Sequence, residues 1–323
     1  MIPGAAELLE PNENVDEVLY FDFPNEGALN SLRFVLNLRR SGFDATILSY
    51  PSNRLEYNLI ALLIGAKHRV GHRYRHLNRL CGNGLNTISV LEDDALSNVE
   101  ENLRLVEALT GHRSDDTGIS LTPDADAAPF AKKWFADRGL VNRTIIGFHA
   151  GGSTRKNHLN KRWAPNRFSE LGRLLIRDAN TAIIVFGGPE ESEVKQHIVD
   201  QLSPNAYIED GEQLMETCAI VERCDYFISN DSALLHLATA LGVPTTGVFG
   251  PTNADWVNVP GFLRHDVSLE LECQPCFYYS PRHLQCRYGD FRCLDRLSAE
   301  QVGAVILQQL DHLRRDAATP VGK

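Results

Sequence analysis

Between Ile228 and Thr252 the chain reads ISNDSALLHLATALGVPTTGVFGPT, which sets an acid, several hydroxyls, a histidine and a Gly-Pro-Thr turn into one strand-helix-strand passage. Asp231 or Ser232 is a natural N-cap for the helix SALLHLATALG, and the amides of that helix's first turn form a partial positive charge suited to a phosphate. Capping without any ligand is the usual use of such a residue, so Asp231 alone decides nothing. Its surroundings add weight. Upstream, HAGGSTRKNHLNKRWAPNRF combines Gly-Gly, Ser153 and Thr154 with Arg155, Lys156, Lys161 and Arg162 ahead of a helix. Glycine permits close backbone approach, and Lys or Arg neutralises phosphate charge. Gly187 and Gly188 end a further strand, and Gly250, Pro251 and Thr252 another. Gly turns and solvated cations are common one at a time; together at three strand ends they imply a crevice for an anionic small ligand, most simply a nucleotide diphosphate.

The elements that must position these residues are legible in the second half. TIIGFHAGG, TAIIVFGGP, DYFISND and TTGVFGPT are short β-rich runs ending in Gly, Asp or Pro, and helical stretches separate most of them. RFSELGRLLIRD carries an apolar stripe of Phe168, Leu171, Leu174 and Leu175. This rhythm predicts parallel strands with crossover helices, and in such open α/β sheets ligands bind beyond the carboxyl ends of the strands. The first half repeats the pattern more weakly. EVLYFDF, DATILSY and HRVGH read as strands, and ALNSLRFVLNLRRSG and NRLEYNLIALLIG as helices. A stretch rich in Asp, Thr and Pro from Asp115 to Asp126, followed by the helix APFAKKWFADRGL, places the expected boundary near Val141, with domains 1–140 and 141–323.

With 323 residues the chain has room for two cores, and 43% hydrophobic with 23% charged residues excludes extended disorder. A net charge of −10 argues against nucleic acid as the main partner. No apolar run approaches a membrane span and Met1-Ile2-Pro3-Gly4 lacks signal-peptide character, so a cytoplasmic location is expected. Seven cysteines include a C-terminal group, Cys273, Cys276, Cys286 and Cys293. Its C-x2-C start has zinc-site spacing and its later gaps match no standard finger, which leaves free thiols and a structural metal both open.

HAGGS…KRWAPNRFSEL, IIVFGGP, SNDSALLHLATALGVPTTGVFGPT and the late CQPCF…C…C resemble glycosyltransferase family 9, whose best-known members are ADP-heptose:lipopolysaccharide heptosyltransferases. The likeness covers nearly all of the second half in order. It is looser in the first half, through VDEVLYFDF and GFDATILSYPSNRLEYNLIALLIGAKHRVGH. The resemblance implies an α/β protein of the GT-B arrangement, two Rossmann-like domains with parallel sheets facing across a cleft. It also implies inverting sugar transfer without a metal or other cofactor, the nucleotide sugar, ADP-heptose, being a co-substrate. The acceptor it implies is lipopolysaccharide core or a related glycan at the inner membrane face, with peripheral membrane contact.

Carried over residue by residue, Lys161 matches the lysine that pairs with the donor diphosphate and Asp231 the acid that contacts or orients the donor sugar; these two are the catalytic candidates. Ser153, Thr154, Gly187, Gly188, Ser232, Ala233, His236, Gly250, Pro251 and Thr252 complete the expected donor site. Glu209 falls near an acid for the nucleoside hydroxyls, against the plainer reading of an exposed strand-end glutamate, and His236 divides evenly between a site residue and a packed support. Ser52, Asn53, Arg54 and Arg73, with Arg75 nearby, are the acceptor-side candidates, set against ordinary surface charge. Ala233 replaces the glycine of the Asp-Ser/Thr-Gly-x-x-His pattern. Family members open with a strand and a Gly-Asp loop whose aspartate is the proposed base, whereas AAELLEPNENVDEVLYFDF resembles a segment C-terminal to that loop. About fifty residues of a truncated first domain are therefore expected to be absent, an estimate from the size of a βαβ unit. The chain is then expected to bind donor better than it turns it over. The alternative class is a non-catalytic nucleotide-sugar-binding relative. A nucleotide-sugar epimerase fits the KRW-to-FGPT order less well, and a dehydrogenase lacks its G-x-G-x-x-G.

Overall fold

The computed structural model describes residues 6–76, 81–115, 118–176, 180–259, 263–278 and 283–318. By contact the chain forms two compact units: Met1–Gly118 with Asp255–Pro260 and Phe277–His283, and Ile119–Ala254 with Gly261–Cys276 and Leu284–Lys323. The division therefore falls after Gly118, and the helix before Val141 belongs to the second unit.

In the first unit, β1 (Ala45–Ile47), β2 (His68–Arg73) and β3 (Ile88–Leu91) form a parallel sheet in that order. Helices α1 (Ala28–Arg40), α2 (Leu55–Ile64) and α3 (Asn98–Thr110) connect and flank it. α3 begins with a capping box, in which the Ser97 hydroxyl accepts the Glu100 amide and the Glu100 carboxylate accepts the Ser97 amide, and it stops at Gly111 with φ 74°. EVLYFDF, expected as a strand, is not one. A strand needs a hydrogen-bonding neighbour, and among the described residues none pairs with it; Phe21 instead stacks on Phe34 of α1, ring centroids 4.4 Å apart.

The second unit carries a five-stranded parallel sheet in the order β6-β5-β4-β7-β8, formed by β4 (Thr144–His149), β5 (Thr181–Val185), β6 (Ala206–Ile208), β7 (Tyr226–Asn230) and β8 (Thr245–Val248). Every residue of β5, β7 and β8 is buried, the pattern of strands covered on both faces. α4 (Ala127–Asp137) precedes β4; between the strands run α5 (Pro165–Leu175), α6 (Ser192–Leu202), α7 (Leu214–Val221) and α8 (Ala233–Ala240); α9 (Arg292–Asp295) and α10 (Ala299–Ala318) come after them. Phe168, Leu171 and Leu175 bury the α5 stripe against Ile183, Ile198 and Leu202, while Leu174 stays partly exposed. Trp163, 1% exposed, packs edge-on against Phe168 and donates its indole N–H to the Leu297 carbonyl.

The strand order reverses at β4: β5 and β6 lie to one side, β7 and β8 to the other. Such a switch point opens a crevice at the strand carboxyl ends, between His149 and Asn230. No helix among the described residues is long and apolar enough to cross a membrane.

Candidate active site

Lys161 and Asp231 meet at this crevice in an ion pair between Nζ and Oδ2, their side chains only 11% and 8% exposed. Two features of the chain deliver them. Trp163, fixed in the core, gives its backbone amide to Asn230 Oδ1 at 2.9 Å, which ties the Lys161 segment to the end of β7. Asn230 Nδ2 in turn donates to the carbonyls of Ala150 and Gly151, at 2.8 and 3.1 Å. Asn230, 1% exposed, thus joins three segments around the pair.

Burial alone would raise the Asp231 carboxyl. The Lys161 ammonium overrides it, with help from the Thr252 hydroxyl beside the carboxylate and from His236, and holds it below the ordinary carboxylate range. Asp231 is ionised at neutral pH. Thr252 is 3% exposed, and among the described residues its Oγ1 has no partner of full hydrogen-bond geometry. His236, in the second turn of α8, is pushed down to about 4 by burial and then by the nearby Arg264 guanidinium, so it is neutral at physiological pH.

Ser232 occupies the N-cap position of α8 with extended backbone, yet its side chain makes no capping bond. The hydroxyl turns instead to His149 Nδ1 and Ser229 Oγ, both at 2.9 Å. The first-turn amides of α8 are therefore left without that side-chain acceptor, the condition for binding an external anion. Ala233, the first helical residue, is exposed.

A second cluster beneath the pair has no signature in the local sequence. Glu191, 4% exposed, accepts from the Gly152 amide at 2.7 Å, the Arg162 guanidinium at 3.1 Å and the Gly188 amide at 3.3 Å, and faces His149 Nε2 at 3.0 Å. Burial works to raise its carboxyl, but His149, the Gly152 amide and Arg162 bring it down to about 2. Arg162 also donates to the Gly152 carbonyl.

Several expected donor residues take different roles here. A Cβ at Gly151 would collide with the Glu191 carboxylate, and one at Gly187 would lie 2.6 Å from it, so these glycines make room for Glu191. A Cβ on Gly250 would meet Leu294 at 2.7 Å, which makes that glycine a packing residue. Gly152 differs: a Cβ there would make only ordinary contacts, with Arg162 at 3.8 Å and Ser232 at 3.9 Å, and its φ of 144° is what calls for glycine. Ser153 and Thr154 are exposed on the same loop; the side chains of Arg155 and Lys156 lie outside the described residues. Glu209, read as exposed, is 3% exposed; its Oε1 accepts from the Gly211 amide at 2.8 Å and the Thr217 hydroxyl at 3.0 Å, and burial raises its pKa despite these bonds. The Gly250-Pro251-Thr252 turn is braced by the cysteine segment, where the Cys276 amide donates to the Pro251 carbonyl at 2.9 Å and Gln274 to that of Gly250.

In the first unit, the expected acceptor residues gather at the carboxyl ends of β1 and β2. The Ser52 amide donates to the Tyr74 hydroxyl at 2.6 Å, Asn53 takes the Cys81 thiol on its carbonyl, and Arg54 is the N-cap of α2. Arg73 is exposed at the last position of β2, and Arg75 is held to Glu92 through its amide and Nε. Tyr50 adds a hydrogen bond to Glu92 at 2.9 Å on the same rim.

The four late cysteines are free thiols, Cys293 buried and Cys276 exposed. Burial, then neighbouring cysteines of the group, raises both of these thiols. Among the described residues, the group of three potential ligands with atoms within 4.8 Å of one another is His76, Glu92 and Asp94.

The family model described as "Glycosyltransferase family 9 (heptosyltransferase)" matches residues 31–286. A lipooligosaccharide heptosyltransferase 2 of Campylobacter jejuni is 29% identical over 184 residues, 54% of this chain and 54% of that protein. Lipopolysaccharide heptosyltransferase 2 of Escherichia coli is 26% identical over 214 residues, 63% of this chain and 59% of the relative. The chain thus spans little more than half the length of these relatives. Among solved structures, a glycosyl transferase family 9 protein of Veillonella parvula superposes with a TM-score of 0.73 at 23% identity, over 96% of this chain and 86% of that one. The E. coli ADP-heptose lps heptosyltransferase II gives 0.68 at 20% identity, over 98% and 88%. At these identities the likeness shows the fold, an α/β protein of the GT-B class with parallel sheets.

Proposed function

The chain belongs to glycosyltransferase family 9, and from that premise we propose that it is an inverting glycosyltransferase carrying a heptose from ADP-heptose to lipopolysaccharide core or a related glycan. It works without a cofactor, at the cytoplasmic face of the inner membrane, which it contacts peripherally. The names of its relatives, heptosyltransferases throughout, support the substrate class. One observation carries the donor half of the reading: Lys161 is held against Asp231 where α8 begins.

In the reaction an acceptor hydroxyl attacks the anomeric carbon in line, the bond from that carbon to the β-phosphate oxygen breaks, and its electron pair leaves with ADP. The hydroxyl proton passes to a base or to solvent. Negative charge grows on the leaving diphosphate, and a cation with fixed amide dipoles stabilises it there. Lys161 supplies the cation and the first turn of α8 the dipoles. Ionised Asp231 orients the ammonium and accepts a hydroxyl of the donor sugar. Ser153 and Thr154 lie along the phosphates, and the rim of Ser52, Asn53, Arg54 and Arg73 receives the acceptor.

Incubation with ADP-heptose and a heptose-deficient core oligosaccharide, with mass spectrometry of the products, tests this. Heptosylated product and ADP are expected, with kcat/KM lowered at least about 100-fold in Lys161→Ala. ADP binding with no transfer to any core acceptor would contradict the transferase reading in favour of the non-catalytic nucleotide-sugar-binding class, and failure to bind ADP would contradict the donor site.

A further inference from the structure

We propose that Glu191 is the positioning residue that sorts the adjacent cations Lys161 and Arg162, holding Arg162 beneath the site so that Lys161 alone faces the donor's diphosphate. The inference rests on the proposed donor site and adds to it a residue that contacts no substrate.

Lys161 and Arg162 are chain neighbours on one loop, and either could in principle answer a diphosphate or an aspartate. The structure separates them. Arg162 uses a single guanidinium nitrogen, Nη2, for both Glu191 Oε1 at 3.1 Å and the Gly152 carbonyl, which ties its head group to these two acceptors. Lys161, one residue earlier, pairs with Asp231. The same Glu191 carboxylate takes the Gly152 and Gly188 amides and faces His149, whose other ring nitrogen reaches Ser232 and Ser229. One side chain therefore joins the ends of β4 and β5 to the lysine loop, and through His149 it reaches the end of β7.

The glycines report the same design. Gly151 and Gly187 have no room for a Cβ because Glu191 occupies it, so two strand ends are shaped around this carboxylate. A buried carboxylate adds little net stability over a well-packed apolar group. What it adds here is direction: the Gly152 segment and the lysine are both fixed relative to α8. Loosening it should weaken what the diphosphate feels and leave the nucleoside's contacts nearly intact.

The test is calorimetric titration of ADP, AMP and adenosine into wild type, Glu191→Gln and Glu191→Asp. In wild type ADP binds more tightly than AMP. Glu191→Gln is expected to cut that ADP-over-AMP ratio about tenfold, the worth of one hydrogen bond to a charged group, while adenosine affinity changes less than about twofold. Glu191→Asp, which keeps the charge, restores part of the ratio. Should Glu191→Gln fold poorly, Arg162→Lys keeps the charge but withdraws the guanidinium nitrogen that reaches both acceptors, and the same fall in the ratio is expected. An unchanged ratio in a folded variant, or an equal loss for all three ligands, overturns the positioning role. Absence of any ADP-over-AMP preference in wild type would instead overturn the donor site, and the inference with it.

Discussion

Replacing Lys161 with Met should destabilise the second unit in a way that acid relieves. The ammonium is what opposes burial at Asp231, whose side chain is 8% exposed. Without it, an ionised carboxylate is left buried with the Thr252 hydroxyl and neutral His236 for company. Breaking one partner of a buried pair costs about 3 kcal/mol or more at pH 7, which is roughly 6–12 °C in melting temperature for a unit of this size. In wild type the Asp231 pKa is lowered from 3.8, so its stabilising contribution is present above that value and is lost as pH falls through the folded pKa. In the variant the largest remaining cause, burial, raises the pKa, and protonation removes the penalty as pH falls. The gap between wild type and Lys161→Met should thus be widest near pH 7 and shrink toward pH 4. A second substitution, Asp231→Leu, should recover much of the loss. Urea unfolding at a series of pH values measures both effects. A gap independent of pH, or a double variant as unstable as the sum of the two singles, would refute the reasoning.

Two further outcomes are expected from the site's packing and charge. His236 is pushed down to about 4 from 6.5, so the unfolded chain takes up this proton first and stability is lost as pH drops from 6.5 toward 4. In His236→Gln the unfolding free energy should therefore fall less over that interval, and an unchanged slope would argue that the ring is not shielded. Gly250→Ala should cost about 1–3 kcal/mol by thermal or urea unfolding, since its Cβ would meet Leu294, and Leu294→Ala should reduce that increment. If alanine at position 250 is neutral, the turn owes its glycine to something else.

Much of the second unit could be read from the sequence because β4, β5, β7 and β8 are short β-rich runs, almost wholly buried and closed by Gly, Asp or Pro, whereas β6, three residues long and partly exposed, gave no such run. That pattern carries both the parallel sheet and the rim, and it brought Lys161 and Asp231 to the same place. It could not supply partners. EVLYFDF has strand composition and no neighbouring strand among the described residues, so its aromatic side chains pack on α1. Glu209 was legible as a rim residue, but its burial comes from the turn it closes with Gly211 and Thr217. Glu191 gave no local signal, for an acid after Gly-Gly-Pro reads as the start of a helix. Its partners His149 and Arg162 lie 42 and 29 residues away. The clue was two Gly-Gly pairs at the ends of neighbouring strands, each needing a reason for its missing side chains.

A crystal structure with ADP bound tests the central claim most directly. The β-phosphate should lie within hydrogen-bond distance of Lys161 Nζ and of the amides that open α8 at Ala233 and Leu234. A nucleotide seated elsewhere on the second unit, or one whose phosphates point away from residue 161, would contradict it.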